Sequence, residues 1–305
     1  EMGARHYGDI APLARAARPH VAVLTNVGEA HIEVMGSRER LIETKWAIFG
    51  EGALPVVNLD DAVSLARLAI LDRLPHLFTV RSSMPRADCR YMRMVMVRSD
   101  RNVVVDETPD DVTLLALGAL PARIVGRHNW SNAGAAIAAA LAAGISGDAI
   151  AAALPHLRLP KGRYERITIQ GAPQIIYDAY NASPDGMIAT LATFSLEAAS
   201  RRIAVLASMA ELGPEALRLH QEVGIAAARA QLAYLLVGGE YADALAEAAR
   251  GEGFPPDRIV PFASNAQAAR WLRDHAQADD IVLLKGARKY HLEEILDDLR
   301  APLSA

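Results

Sequence analysis

The chain has 305 residues, 51% of them apolar and 22% charged, with a formal charge of −4 and a pI near 6.2. That length suggests two domains, each with enough apolar material for its own core. The slightly acidic balance gives no electrostatic reason for nucleic acid or an anionic membrane to be the main partner. Cys89 is the sole cysteine, which excludes an intrachain disulfide and fits a reducing cytoplasm. The most apolar run, residues 133–145, is shorter than the ~20 residues a membrane helix needs, and no basic-then-apolar leader is visible.

In chain order, Asp9 is placed to cap a helix through Leu13 and Ala17, closed by Pro19. An apolar strand follows over 21–24. After the Gly36-Ser37 break, Leu41, Ile42, Ala47, Ile48 and Phe49 recur at helical spacing over 38–49. Residues 55–59 read as a short buried strand, and Asp60-Asp61 as the start of a helix through Leu71. Between His76 and about Leu120 the pattern turns to β, with strands over 77–80, 91–97 and 102–105. Met92, Met94 and Met96 alternate with Arg93 and Val95, the strand period, which predicts one buried face. Gly126-Arg127-His128-Asn129 leads into an alanine-rich helix ended by Gly144, and a second helix over 148–154 closes before Pro155.

Pro160 and Gly162 mark 156–162 as the domain boundary. Beyond it strands are predicted over 164–169, 174–177, 202–207, 234–237, 258–261 and 280–284. Helices fill the gaps over 184–197, 215–230, 241–250, 265–275 and 290–300. Strand and helix in strict turn imply a parallel sheet covered on both faces, the doubly wound architecture.

The stretch 25–45 is the first candidate site. It leaves the 21–24 strand through Thr25-Asn26-Val27-Gly28, presents His31 and enters the helix that carries Lys45. Polar turns at the carboxyl ends of strands are where open α/β sheets place ligands. Together with Glu1-Met2-Gly3-Ala4, the run Thr25-Asn26-Val27-Gly28-Glu29-Ala30-His31 and the spacing to Lys45 resemble the central domain of the ATP-dependent Mur ligases. Gly126-Arg127-His128-Asn129 with Asn132, and Asp178-Ala179-Tyr180-Asn181-Ala182-Ser183-Pro184-Asp185, continue the resemblance in order. Met209-Ala210-Glu211-Leu212-Gly213 with His220, then Lys285-Gly286-Ala287-Arg288, complete it over essentially the whole chain.

The resemblance implies an α/β fold: a partial central ATPase-type domain over 1–158, incomplete at its N-terminus, then a doubly wound, Rossmann-like C-terminal domain over 159–305 with a mostly parallel sheet. It implies a ligase that makes an amide through an acyl phosphate, adding D-alanyl-D-alanine to a UDP-muramoyl-tripeptide in peptidoglycan precursor synthesis. The implied cofactors are ATP and Mg²⁺, and the implied partners are small molecules met by a cytoplasmic monomer. Both reactants are anionic, so Mg²⁺ and cationic donors must neutralise phosphate oxygens in such chemistry.

By the same resemblance Glu1, His31 and Lys45 hold metal, Lys45 after carbamylation, since an ammonium would repel Mg²⁺. Asn129 and Asn132 would read an adenine edge, Arg163 would reach the γ-phosphate and Asp178 the ribose. Tyr180, Asn181, Asp185, Lys285 and Arg288 would meet substrate. Without the resemblance Lys45 reads as a solvated helix lysine, Asn129 and Asn132 as caps, Arg163 as a strand-edge charge and Asp178 as a turn acid. Lys285 and Arg288 read equally as solvated charges, and the role of His220 is open between orienting and packing.

The family's phosphate loop, G-x-x-G-K-[ST], would precede Glu1. Within the chain Gly238-Gly239 and Gly50-Glu51-Gly52 lack the Lys-Ser/Thr that phosphates and Mg²⁺ require. The expectation is that these 305 residues alone do not turn over ATP. Ser183 stands where the family usually has Asn, and Ala207-Ser208 where it usually has Gly-Asp. These positions leave open a ligase of the same fold acting on a non-muropeptide acid, and the missing loop leaves open a non-catalytic nucleotide-fold module.

Overall fold

The computed structural model describes residues 2–28, 32–50, 52–83, 90–107 and 114–301, with 32 and 33 as backbone alone. Contacts along the chain divide it into two compact units, 1–158 and 159–305. The first contains α1 (Ile10–Ala17), β1 (Val21–Leu24), α2 (Ile32–Met35), α3 (Arg38–Trp46), β2 (Leu54–Asn58), α4 (Ala62–Ala66) and β3 (His76–Val80). It continues through β4 (Arg93–Val97), β5 (Asn102–Asp106), β6 (Leu114–Ala119), α5 (Arg127–Ala142) and α6 (Gly147–Ala153). Its six strands, among the described residues, lie in chain order, β1 to β4 parallel and β4 to β6 antiparallel.

Both faces of that sheet are covered. Leu77 of β3 and Met94 of β4 pack with Val57, Leu59, Leu68 and Tyr91 on one side. On the other, α5 comes so close that a Cβ on Gly134 would lie 3.5 Å from Val97 and 3.6 Å from Phe78. The methionine alternation therefore does not mark a single buried face: Met94, Val95, Met96 and Val97 are all buried and Met92 is exposed. A strand between two others and under a helix has no solvent side. Asp9 does not cap α1; its carboxylate accepts from the N–H groups of Arg5 (2.9 Å) and His6 (2.7 Å), closing the turn before the helix. The helix expected to reach Leu71 ends at Ala66, and 68–70 tightens into a 3₁₀ turn that sends Leu68 into the core. The edge strand β6 is mostly exposed and pairs with β5 across an irregularity at Val103/Val104, and its Leu-Leu-Ala-Leu-Gly-Ala sequence carries no alternation to announce it.

The second unit contains β7 (Glu165–Ile167), β8 (Gln174–Tyr177), α7 (Pro184–Phe194), β9 (Arg202–Ala207), α8 (Ala216–Arg229), β10 (Tyr234–Gly238) and α9 (Ala242–Gly251). It closes with β11 (Ile259–Phe262), α10 (Asn265–His275), β12 (Ile281–Lys285) and α11 (Glu293–Arg300). The strand order is β11-β10-β9-β12-β8-β7, parallel except for β7, which forms an antiparallel hairpin with β8. The chain steps outward from β8 through β9 and β10 to β11, then returns to insert β12 between β9 and β8. Right-handed crossovers put helices of opposite travel on opposite faces. Accordingly α7, α8 and α9 pack together, and α10 packs with α11. The reversal makes the carboxyl end of β12 a topological switch point, where crevices open in doubly wound sheets.

Candidate functional site

In the first unit the 25–28 turn leaves the carboxyl end of β1, which lies beside that of β2. Val27 turns inward from the polar motif and packs with Leu24, Met35, Leu41 and Trp46, tying the 25–28 turn to α3. Asn58, buried at the end of β2, donates from Nδ2 to the Thr25 carbonyl at 2.8 Å. Lys45 is half-buried in the last turn of α3. Its neighbour Thr44 accepts from the Gly8 N–H at 3.0 Å and donates to the Arg40 carbonyl at 2.7 Å. The Tyr7 hydroxyl donates to Glu43 at 3.0 Å, and the Arg40 guanidinium lies 5.3 Å from the Tyr7 ring centre. The segment just after the Glu1 motif is thereby laid along α3 up to the turn that carries Lys45. Glu1 and His31 lie outside the described residues. Among the described residues no group of three or more His, Cys, Asp or Glu could hold a metal ion.

Asn129 is buried in the first turn of α5, where its Nδ2 donates to the Val125 carbonyl at 2.8 Å, and Asn132 one turn on is exposed. The helix starts at Gly126, φ 87°, without a side-chain cap. Asp60 is a junction that sequence pattern missed. Its carboxylate accepts from Thr79 Oγ1 (2.8 Å), Val80 N (2.7 Å) and Arg81 Nε (3.0 Å), and lies 3.7 Å from Arg127 Nη2. Asp61 beside it caps α4 by accepting from Ser64 N at 2.9 Å. Nothing in the Asp60-Asp61 pair says which acid caps and which bundles β2, β3 and α5.

In the second unit strand register creates the central contact. β8 and β12 are parallel with Tyr177 opposite Leu284, so Asp178 and Lys285, one residue further on, stand side by side at the carboxyl edge. Lys285 Nζ lies 2.8 Å from Asp178 Oδ2, which also accepts from Thr190 Oγ1 at 2.6 Å, while Oδ1 accepts from Tyr164 N at 3.1 Å. Asp178 is 6% and Lys285 3% exposed. Burial lowers the lysine pKa and the Asp178 carboxylate opposes that shift. Two residues expected at separate ligand contacts are thus each other's partner. The remaining candidates are exposed. Arg163 lies over Tyr180 with its guanidinium 4.5 Å from the ring centre. Asn181 accepts from Ala182 N at 2.8 Å, Asp185 stands in the first turn of α7, and Arg288 pairs with Glu293 at 3.3 Å.

Two descriptions from one family match this chain in order: the Mur ligase middle domain over residues 1–140, and the Mur ligase glutamate ligase domain over 162–288. The chain belongs to the Mur ligase family. It is 31% identical over 309 residues to the UDP-N-acetylmuramoyl-tripeptide–D-alanyl-D-alanine ligase of Bacillus subtilis, covering 100% of this chain and 64% of that one. Against the enzyme of the same name from Mycobacterium tuberculosis the identity is 33% over 325 residues, covering 99% and 62%. Among solved structures, MurF from Acinetobacter baumannii superposes with a TM-score of 0.76 at 24% identity, over 98% of this chain and 63% of that one. MurF from Thermotoga maritima in complex with ADP gives 0.75 at 24% identity, over 98% and 66%. At that identity the superpositions establish the fold. The chain spans less than two thirds of the length of these curated relatives.

Where this Mur ligase chain departs from the family's usual residues, the structure supplies local reasons. Ser183 caps α7, its Oγ accepting from Gly186 N at 3.3 Å, which is work Asn also does. Ser208, buried, donates from Oγ to the Gly238 carbonyl (3.3 Å) and accepts from Tyr241 N (2.9 Å), while its carbonyl accepts from Ala287 N at 3.1 Å. It therefore joins the ends of β9, β10 and β12. Ala207 leaves no spare room: a Cβ on Gly286 would lie 2.6 Å from its own. His220 orients and packs at once. Its Nε2 accepts from Met209 N (2.8 Å), so the proton sits on Nδ1, which donates to the Ala216 carbonyl (2.6 Å), and the ring stacks on Tyr241 at 4.5 Å. Burial lowers its pKa and keeps the ring neutral.

Proposed function

We propose that this Mur ligase chain carries nucleotide-, metal- and amine-handling parts of an ATP-dependent ligase. In this reading D-alanyl-D-alanine is joined to UDP-N-acetylmuramoyl-tripeptide in peptidoglycan precursor synthesis. The observation that carries it is similarity along the whole of this chain, 31% identity over 309 residues, to 64% of a ligase named for that reaction. The tripeptide carboxylate attacks the γ-phosphorus of ATP, and the bond from that phosphorus to the ADP oxygen breaks, leaving an acyl phosphate. The dipeptide amine attacks the acyl carbon and gives up a proton, and the bond to phosphate breaks as the amide forms.

Arg163, an exposed cation at the mouth of the second unit's carboxyl edge, meets the charge on the transferring phosphoryl group. Asn129 and Asn132 face the adenine and Asp178 the ribose. Tyr180, Asn181, Asp185 and Arg288 meet substrate, and Lys285 serves through its ion pair with Asp178. By chemistry the donor set fits Mg²⁺, since a Glu1 carboxylate and a carbamate on Lys45 are hard oxygen ligands, and His31 would be the third ligand on the family's pattern. Bound there, the ion would neutralise phosphate oxygens. The protein works as a cytoplasmic monomer with its domain boundary at 158/159, a division the two compact units support. Among the described residues no helix is long and apolar enough to cross a membrane.

The test supplies the protein, as its gene encodes it, with ATP, Mg²⁺, UDP-N-acetylmuramoyl-tripeptide and D-alanyl-D-alanine, and follows ADP and product mass. A nucleotide-sugar peptide heavier by the dipeptide, formed only when all four are present, is the expected result. ADP release with another acid and none with the muramoyl-tripeptide sinks the reading.

A further inference from the structure

Arg163 is mounted between two residues with left-handed backbone, Gly162 at φ 71° and Tyr164 at φ 51°. Pro160 to Arg163 closes as a turn, the Arg163 N–H donating to the Pro160 carbonyl at 3.2 Å. Positive φ at the third position of such a turn asks for glycine, and Gly162 supplies it. Tyrosine has no such freedom and adopts this conformation only where its surroundings impose it.

Those surroundings are specific. The Tyr164 N–H donates to Asp178 Oδ1 at 3.1 Å, and its hydroxyl donates to Glu197 Oε1 at 3.1 Å. Arg166 Nη2 grips both oxygens of Glu197, at 2.6 and 2.7 Å. The Tyr164 ring is 3% exposed. On the other side of Arg163, the Gly162 N–H donates to Glu165 at 2.9 Å and its carbonyl accepts from Tyr180 N at 3.2 Å. The chain is thus pinned on both flanks of an arginine whose guanidinium, among the described residues, has no hydrogen-bond or ion-pair partner. Instead it rests 4.5 Å from the centre of the Tyr180 ring, itself 55% exposed. A cation held by an aromatic face keeps all its N–H donors free for an anion.

We infer that Tyr164 is a positioning residue for Arg163: its left-handed backbone, locked by Asp178 and Glu197, presents the guanidinium on Tyr180 as a fixed, unneutralised cation for a phosphoryl group. Only the last clause rests on the proposed ligase reading; the mounting does not. Sequence gives no sign of it, because Tyr164 reads as the first residue of a strand.

The test separates backbone from ring. With nitrogen-15 arginine in the protein as its gene encodes it, the Nε–H resonance of Arg163 is identified by its loss in Arg163→Lys and is displaced by the Tyr180 ring current. Four variants all remove the Tyr164 ring. Tyr164→Gly and Tyr164→Asn accept a left-handed backbone, and Tyr164→Ala and Tyr164→Val resist it. The displaced resonance is expected to survive in the first two and to move to the position of a solvent-exposed arginine in the last two; if Tyr164→Val does not fold, Tyr164→Ala decides. The same resonance in every folded variant overturns the inference. Calorimetric affinity for a non-hydrolysable ATP analogue over ADP, with Mg²⁺, is read on the same proteins. That preference should fall roughly tenfold where the resonance moves, the loss of about one charge-assisted contact. A resonance that moves while the preference stays constant leaves Tyr164 as the mount of Arg163 and removes the phosphate reading.

Discussion

Removing one partner of the Lys285–Asp178 pair strands the other charge in the core of the second unit. Lys285→Met is therefore expected to destabilise by about 3–5 kcal/mol in urea unfolding, and adding Asp178→Asn to recover most of that loss. Strictly additive losses would mean the two groups do not depend on each other. Titration works on the same scale. His220 and His76 are buried, which lowers both pKa values from the ordinary 6.5 (for His76 with a contribution from Arg93), so the unfolded chain binds more protons than the folded one just below that value. Stability should then be full above about pH 6.5 and decline as pH falls toward the folded values. Thermal melts across pH 5 to 8 should show that slope, and it should flatten in His220→Gln; an unchanged slope would exclude His220 as a source. Ser183→Ala should cost about 1 kcal/mol through loss of the α7 cap, and Ser183→Asn close to nothing.

At the scale of elements, α8 and α9 approach each other through a single glycine. A Cβ on Gly224 would lie 2.3 Å from the Leu245 carbonyl oxygen and 2.9 Å from Ala248 Cβ. Backbone cannot yield as a flexible side chain can, so Gly224→Ala should lower stability by about 1–3 kcal/mol or separate the helices. Gly251, at the end of α9, meets nothing within 4 Å and lies outside the left-handed region. Gly251→Ala should be neutral or stabilise by up to about 1 kcal/mol. Equal melting shifts for the two substitutions would contradict this packing. The strands carry a parallel lesson. β9, β10 and β12 are read directly from apolar runs, because strands covered on both faces need nothing but apolar residues. β6 and β7 are edge strands and half solvated: β7 lies within the strand expected over 164–169 but pairs antiparallel to β8, and β6 takes its place from pairing alone.

For the molecule as a whole, each unit has its own sheet and its own buried clusters. Residues 159–305 expressed alone are expected to fold with dispersed amide spectra and one cooperative transition; a disordered spectrum would show that this core depends on the first 158 residues. The sequence by itself determined the α/β class, the order of nearly every element and the family, because apolar period, helix stops and motif order are local signals that survive without coordinates. It singled out Asp178, Lys285 and Arg163 as candidates, but not what they do for one another. Tertiary structure alone decided that Lys285 pairs with Asp178, that Asp60 bundles three elements, that Ser208 joins three strand ends and that Tyr164 is held left-handed beside Arg163. Each of these depends on which residues distant in sequence become neighbours in register, and register is settled by the packing of whole strands and helices rather than by any short stretch of chain.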